Sequence, residues 1–471
     1  MVNQISVQQA KYKLLTDVRQ ISVNFRPRSK LQALCFILII LIFLLLFTIY
    51  TSIGILPLKS SNTSNFHKED DAKISTWIRR TWLYAESTKK NQNAEKSTIF
   101  DQAEQPRKKS LGKIIACYFT IPRNLNTSGE LSPSQLDPNL CTHIIVGFAS
   151  VVNCTLSLGE NISMYREVVN LKIRKPKLKI MVSVGGTNEL YSGFPEMVET
   201  HTNRKKFINS VLNVTKNLNL DGLDIDWEFP AWPDSKTRQK IHFVQLLQEL
   251  QKVFDRTSPN LILSVALGAP PAIIAQSYNV PQLAQHVDFV NLMTYDYHFF
   301  VWYFPITGLN APLYPRSPEI GYLSTLNVNY SAYYLLSKGM PREKIVIGIP
   351  TYGHSYKLDN SLNHEVGSPA KSFGTSGSAG FVPYSTTCKF LHSGAETIFE
   401  HESRVPYTYK NDEWISYDDI LSVKYKIEWI LKSGFKGAMI FSLNTDDWYG
   451  SCADNTTFPL TRITSSILKH S

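Results

Sequence analysis

From residue 111 onward the chain repeats one pattern eight times: a short apolar run set off by polar or glycine-containing turns. The runs are KIIACYFT (113–120), THIIVGFAS (142–150), LKIMVSVGG (178–186), LDGLDIDWEF (220–229), LILSVALG (261–268), DFVNLMTYD (288–296), KIVIGIPTYG (344–353) and GAMIFSL (437–443). Between most of them lie stretches of helical period, such as RKKFINSVLNVTKNLN (204–219) and RQKIHFVQLLQELQKVF (238–254). Apolar strands alternating with helices predict an α/β fold with a parallel sheet. Eight such units over about 250 residues or more predict a (β/α)8 TIM barrel, whose active sites sit at the C-terminal ends of the strands. The gap between the seventh and eighth runs is the longest and holds VPYTYKNDEWISYDD (405–419), which reads as extra strands. Residues 355–425 are therefore expected to form a small inserted α+β subdomain, within a domain spanning 111–471.

The fourth run carries the sharpest chemical signal. Alternate residues of a strand face the same side, so Asp224, Asp226 and Glu228 form one column, while Leu223, Ile225 and Trp227 face the outer helices. Like charges a few ångströms apart push one carboxyl pKa upward, and a neutral carboxylic acid near pH 7 is what a general acid needs. Glu228 lies nearest the C-terminal end of the strand, where it is the candidate proton donor.

These residues resemble a known family. DGLDIDWEF fits the DxxDxDxE signature of family 18 glycoside hydrolases at Asp221, Asp224, Asp226 and Glu228. CYFT, LCTHIIVGFAS, SVGG (183–186), NLMTYD (291–296), GIPTYGHSY, VPY, WISYDD and GAMIFSLNTDD resemble the chitinase-type branch in order, from residue 113 to about 465. The resemblance implies hydrolysis of β-1,4 linkages in N-acetylglucosamine (GlcNAc) chains of chitin type, without metal or organic cofactor, by substrate-assisted retaining catalysis. In that scheme Glu228 protonates the glycosidic oxygen and the substrate's own acetamido oxygen attacks the anomeric carbon. Asp226 orients the acetamide, Asp224 tunes Asp226, Tyr295 bonds the acetamide oxygen, and Asp296 a sugar group. Asp221, Met293, Phe148, Tyr118, Tyr352 and Phe441 are the further substrate-binding residues that the resemblance implies. It also implies disulfides Cys117–Cys141 and Cys388–Cys452, with Cys154 spare, either for an intermolecular bridge or as a buried unreactive thiol.

Phe441 and Thr187 stand where many members have Trp, Phe229 where many have Tyr, and His354 where some have Arg. Phe441 offers a sugar ring a smaller platform, Thr187 offers none, and Phe229 lacks a hydroxyl, while the acid–base residues are intact. A catalytically weak lectin for GlcNAc-containing glycans, built on the same barrel, is the alternative reading.

The N-terminal region has a different character. Between Lys30 and Lys59 lie 28 residues without a charge, with the unbroken core LCFILIILIFLLLFTIY. A bilayer needs about 20 such residues, and a cleaved signal peptide has an apolar region of only about 7–15. Residues 31–58 are therefore expected to be an uncleaved transmembrane signal-anchor. Six basic residues and Asp17 alone precede it, which predicts a cytoplasmic tail over 1–30 and a lumenal or extracellular remainder. Asparagine sequons at Asn62, Asn126, Asn153, Asn161, Asn213, Asn329 and Asn455 all follow the anchor. Residues 59–110 read as a polar stem, and RKK at 107–109 as a point where a soluble form can be released. Charge is uneven: residues 1–110 hold 17 Lys/Arg against 8 Asp/Glu, the rest 32 against 31. Basicity confined to the tail argues against a nucleic-acid surface on the folded domain. The absence of CxxC or Cys/His clusters argues against zinc.

Overall fold

The computed structural model describes residues 112–121, 130–186, 193–232, 237–452 and 455–470. The readings made on residues 1–110, the tail, anchor and stem, lie outside the described residues, as does Thr187.

Fifteen strands are described. They are β1 (Ile114–Thr120), β2 (His143–Val152), β3 (Thr155–Ser157), β4 (Lys179–Gly185), β5 (Gly222–Asp226), β6 (Ile262–Gly268), β7 (Phe289–Met293), β8 (Ile345–Pro350), β9 (Tyr352–Leu358), β10 (Ala370–Phe373), β11 (Phe381–Pro383), β12 (Glu396–Glu400), β13 (Val405–Lys410), β14 (Glu413–Ser416) and β15 (Gly437–Phe441). Strands β1, β2, β4, β5, β6, β7, β8 and β15 pair in parallel, and β1 closes the ring by pairing with both β2 and β15. All eight fall on the eight apolar runs, and closure removes every edge on which another chain could pair.

Side-chain alternation divides the core in two. Leu223 and Ile225 of β5, with Val182 and Val184 of β4 and Leu263 and Val265 of β6, belong to the layer between barrel and helices. That layer is sealed by helices such as His201–Leu218, whose Phe207, Ile208, Val211 and Leu218 are buried. This helix starts at Thr200, whose side chain accepts the Asn203 N–H, and stops at Asn219, which takes the left-handed conformation (φ 53°). The opposite parity fills the lumen with Ala116, Tyr118, Ile145, Met181, Phe289, Val346 and Met439.

A second, antiparallel sheet orders β10-β9-β14-β13-β12, with β11 also on β9. Its core is Tyr356, Leu358, Val405, Tyr407 and Trp414, closed by Phe300 and Leu309 from the β7–β8 connection. It begins at Tyr352 and ends at Ser416, so it differs from the expected 355–425 at both ends. The later boundary moves because helix Ile420–Ser433 turns Val423, Ile427 and Ile430 into the outer barrel layer. On that helix Lys426, fully buried, pairs with Asp418 at 2.5 Å. Disulfides join Cys117 to Cys141 and Cys388 to Cys452, and Cys154 is a free, buried thiol.

Candidate active site

Register places polar groups around one carboxylate. Ser183 of β4 and Ser264 of β6 lie directly opposite Asp224 of β5. Asp224 is fully buried. Its Oδ2 accepts from the Tyr118 hydroxyl and from Ser183 Oγ, both at 2.7 Å. Its Oδ1 accepts from Ser264 Oγ at 2.6 Å and Asn291 Nδ2 at 3.2 Å. Burial raises the Asp224 pKa; the four donors pull it down, and the net shift is upward. Donors thus arrive from β1, β4, β6 and β7 at a single side chain on β5.

Asp226, 2% exposed, is the next inward position along β5. Its carbonyl oxygen accepts the Gly186 N–H at 2.8 Å. This contact explains the paired glycines ending the third run. A Cβ on Gly185 (φ 111°) would stand 2.1 Å from the Asp226 oxygen, and one on Gly186 (φ 71°) 2.9 Å from the Phe148 ring. Only glycine lets β4 approach so closely in that conformation. Glu228 follows just past the end of β5 and is half-buried at the rim. Trp227 points the other way, stacked on Phe194 at 5.2 Å and edge-on to Phe243.

Above the carboxylates lies an aromatic cup. The Phe441 ring, at the end of β15, is 5.5 Å from Tyr118, 5.7 Å from Tyr295 and 6.2 Å from Tyr352. Phe148 stacks beside Tyr118, and Phe381 of β11 stacks on Tyr352 at 4.3 Å. Met293 packs into the same lumenal cluster. Burial, then the charges of Asp226, Asp296 and Glu228, hold the Tyr295 hydroxyl well above its ordinary pKa. Tyr118 is raised likewise, by burial first and then by Asp224 and Asp226. Both phenols are therefore neutral, proton-bearing donors at any physiological pH. Asp296 takes the left-handed conformation (φ 57°), and its N–H donates to Asn310 Oδ1 at 2.9 Å. Its Oδ1 accepts from the Tyr352 hydroxyl and lies 2.7 Å from His354 Nε2.

Ten of the eleven candidate catalytic and substrate-binding residues therefore gather at the C-terminal mouth of the barrel or in the lumen beneath it. Asp221 does not, and its expected contact with sugar is corrected. It sits before the first residue of β5, at the opposite end of the strand. There it pairs with Lys172 at 2.5 Å and Lys179 at 3.1 Å and accepts the Ile180 N–H. Sequence reading had also missed Ser183, Ser264, Asn291, Asn310 and Phe381. Ser264 and Asn291 did leave a signal: each is a polar residue inside an apolar run, at a lumen-facing position.

The arrangement offers a half-exposed acid at a rim, two buried carboxylates beneath it, neutral phenol donors, and ring faces shaped to lie against an apolar sugar face. Comparison with known proteins agrees. The model of a family described as "Glycosyl hydrolases family 18" matches residues 114–446. Mouse chitotriosidase-1 is 36% identical over 360 residues, covering 74% of this chain and 76% of that protein. An active chitinase from Trichuris suis has 33% identity and a TM-score of 0.72, over 76% of this chain and 100% of its own. A human protein described as a pseudo-chitinase with retained chitooligosaccharide binding properties has 36% identity and the same TM-score and coverage.

Proposed function

The chain belongs to glycosyl hydrolase family 18, and from that premise we propose that it cleaves β-1,4 linkages in GlcNAc polymers or oligomers with Glu228 as acid and base. Similarity to an active chitinase and to a pseudo-chitinase is equal in overall fold, so the argument rests on the site. The observation that carries the reading is the intact β5 column, with Asp224 bonded by four donors under Asp226 and Glu228 at the open rim. In this reading Glu228 delivers its proton to the leaving oxygen. The acetamido oxygen of the substrate attacks the anomeric carbon, and water completes hydrolysis with retention. Asp226 orients the acetamide and balances its positive charge. Tyr295, kept protonated, donates to the acetamide oxygen, and Asp296 binds a sugar hydroxyl.

Glu228→Gln keeps size and hydrogen bonding but has no proton to transfer. Acid–base groups contribute about 10²–10⁴-fold, so turnover of a chito-oligosaccharide should fall at least that far while binding survives. Wild-type turnover in that variant would end the proposal. The lectin reading has one observation in its favour, the Phe441 floor. If the wild-type domain binds these sugars and turns none over, that reading wins. If it is an enzyme, Phe441→Trp should enlarge the platform and lower KM at similar kcat.

The uncharged segment 31–58 and the sequons beyond it support an anchored protein with residues 111–471 in the lumen or outside the cell. Protease added to intact vesicles should then spare the domain; digestion of it there would reverse the orientation.

A further inference from the structure

Five of the seven sequon asparagines fall on described residues, and the fold holds them differently. Asn153 is exposed in the turn joining β2 to β3, in the left-handed conformation (φ 49°). Thr155, third residue of that sequon, closes the turn by donating to the Val152 carbonyl at 2.7 Å. Asn213 is exposed on helix His201–Leu218. Its Oδ1 accepts from Asn217 Nδ2 at 3.0 Å, a contact that uses the oxygen and not the nitrogen to which a glycan attaches.

These two positions share a flank. The Leu156 N–H of β3 donates to Ser210 Oγ of the helix at 2.8 Å. Asn153 is three residues from Leu156, within about 10 Å even were that chain fully extended, and Asn213 is three from Ser210, about 5 Å of helix. The exposed positions of the helix around them are Lys205, Lys206, Asn209, Lys216 and Asn217, all polar. Val152, beside Asn153, is exposed too, but a single apolar side chain is not a patch that marks a protein partner's site. Asn161 is half-buried before helix Ile162–Val169, and Asn455 is exposed in the turn before the last helix.

Asn329 is held quite otherwise. It is half-buried between fully buried Val328 and the equally buried Ser331 two residues on. Its Oδ1 accepts the indole N–H of Trp429 at 3.2 Å. That bond uses the oxygen, as the one at Asn213 does, so what sets Asn329 apart is burial: a sugar on its nitrogen would have to draw a half-buried side chain out from between buried neighbours.

We infer that Asn153 and Asn213 are N-glycosylated, giving this flank of the barrel a glycan coat, and that Asn329 is left bare. The inference rests on the lumenal placement proposed above. The modification forms a bond from asparagine Nδ2 to C1 of a GlcNAc; Nδ2 loses a proton, and a lipid-linked pyrophosphate leaves the sugar with the bonding pair. The test is the full chain made in mammalian cells and treated with peptide-N-glycosidase in heavy-oxygen water, which turns each occupied asparagine into a labelled aspartate. Peptide mass spectrometry should find label at Asn153 and Asn213 and none at Asn329. Asn62 and Asn126 report the compartment independently. Label at either of them with Asn153 and Asn213 unlabelled, or label at Asn329, overturns the inference while the lumenal placement stands. No label at any sequon overturns both.

Discussion

Asp224 shows how one side chain's needs can be met by strands far apart in sequence. As a carboxylate it has two oxygens, each taking two donated bonds. An amide has one oxygen and an NH2 group, so Asp224→Asn turns a donor toward the donors on one side. A buried donor left without a partner costs about 1–3 kcal/mol. Asp224→Asn should therefore lower Tm measurably and depress kcat, because the groups beneath Asp226 must rearrange; unchanged thermal unfolding would show that the four bonds carry little weight. The same scale separates what sequence could reveal from what it could not. Asp224, Asp226 and Glu228 stand out because alternation with Leu223, Ile225 and Trp227 is a pattern along one strand. Asp221 matches the same motif yet serves a pair of lysines, since position within a strand end is not encoded in the spacing. Phe381 gave no sign, because its contact with Tyr352 depends on the short strand β11 pairing antiparallel with β9, which nothing in the local sequence declares.

Among the elements, the last helix, Pro459–Lys469, is pinned at its start by a buried acid. Asp446 Oδ2 accepts both the Thr461 N–H at 2.9 Å and its hydroxyl at 2.7 Å, and Oδ1 accepts the Asp447 N–H. Burial outweighs these bonds and raises its pKa from 3.8 to about 6. The folded state then holds more protons than the unfolded chain between about pH 4 and 6, so this group's contribution to stability falls as pH rises through that window. Asp446→Asn keeps an acceptor for Thr461 and removes the titration. The Tm of the variant should rise relative to that of wild type as pH goes from 4 to 6; a constant difference would show that Asp446 does not titrate there. Elements of this kind were readable to different degrees. The eight barrel strands announce themselves as apolar runs because both their faces are covered. The end of the insertion differs from the expected one because helix Ile420–Ser433 follows β14 with only Tyr417 to Asp419 between, and burial of its apolar face against the barrel is a tertiary fact.

For the whole molecule, the Cys388–Cys452 bridge matters most, since it ties helix Tyr384–His392 of the insertion to the segment after β15. It spans 64 residues, and closing a loop of that length in the unfolded chain is worth about 4 kcal/mol. Replacing both cysteines with serine should reduce the unfolding free energy in urea by about that amount; a loss under about 1 kcal/mol would mean the unfolded chain is already compact there. Apolar packing joins the two as well: Val382, Tyr384 and Ile415 of the insertion belong to the same buried cluster as the barrel's outer layer. Asp224 is held from across the chain. Its partners come from residues 118, 183, 264 and 291, so no contiguous piece of chain shorter than that stretch can supply them all. Until β1 has come round to face β7, the acidic cluster has no floor. A working site therefore certifies that the arc from β1 to β7 has assembled in register.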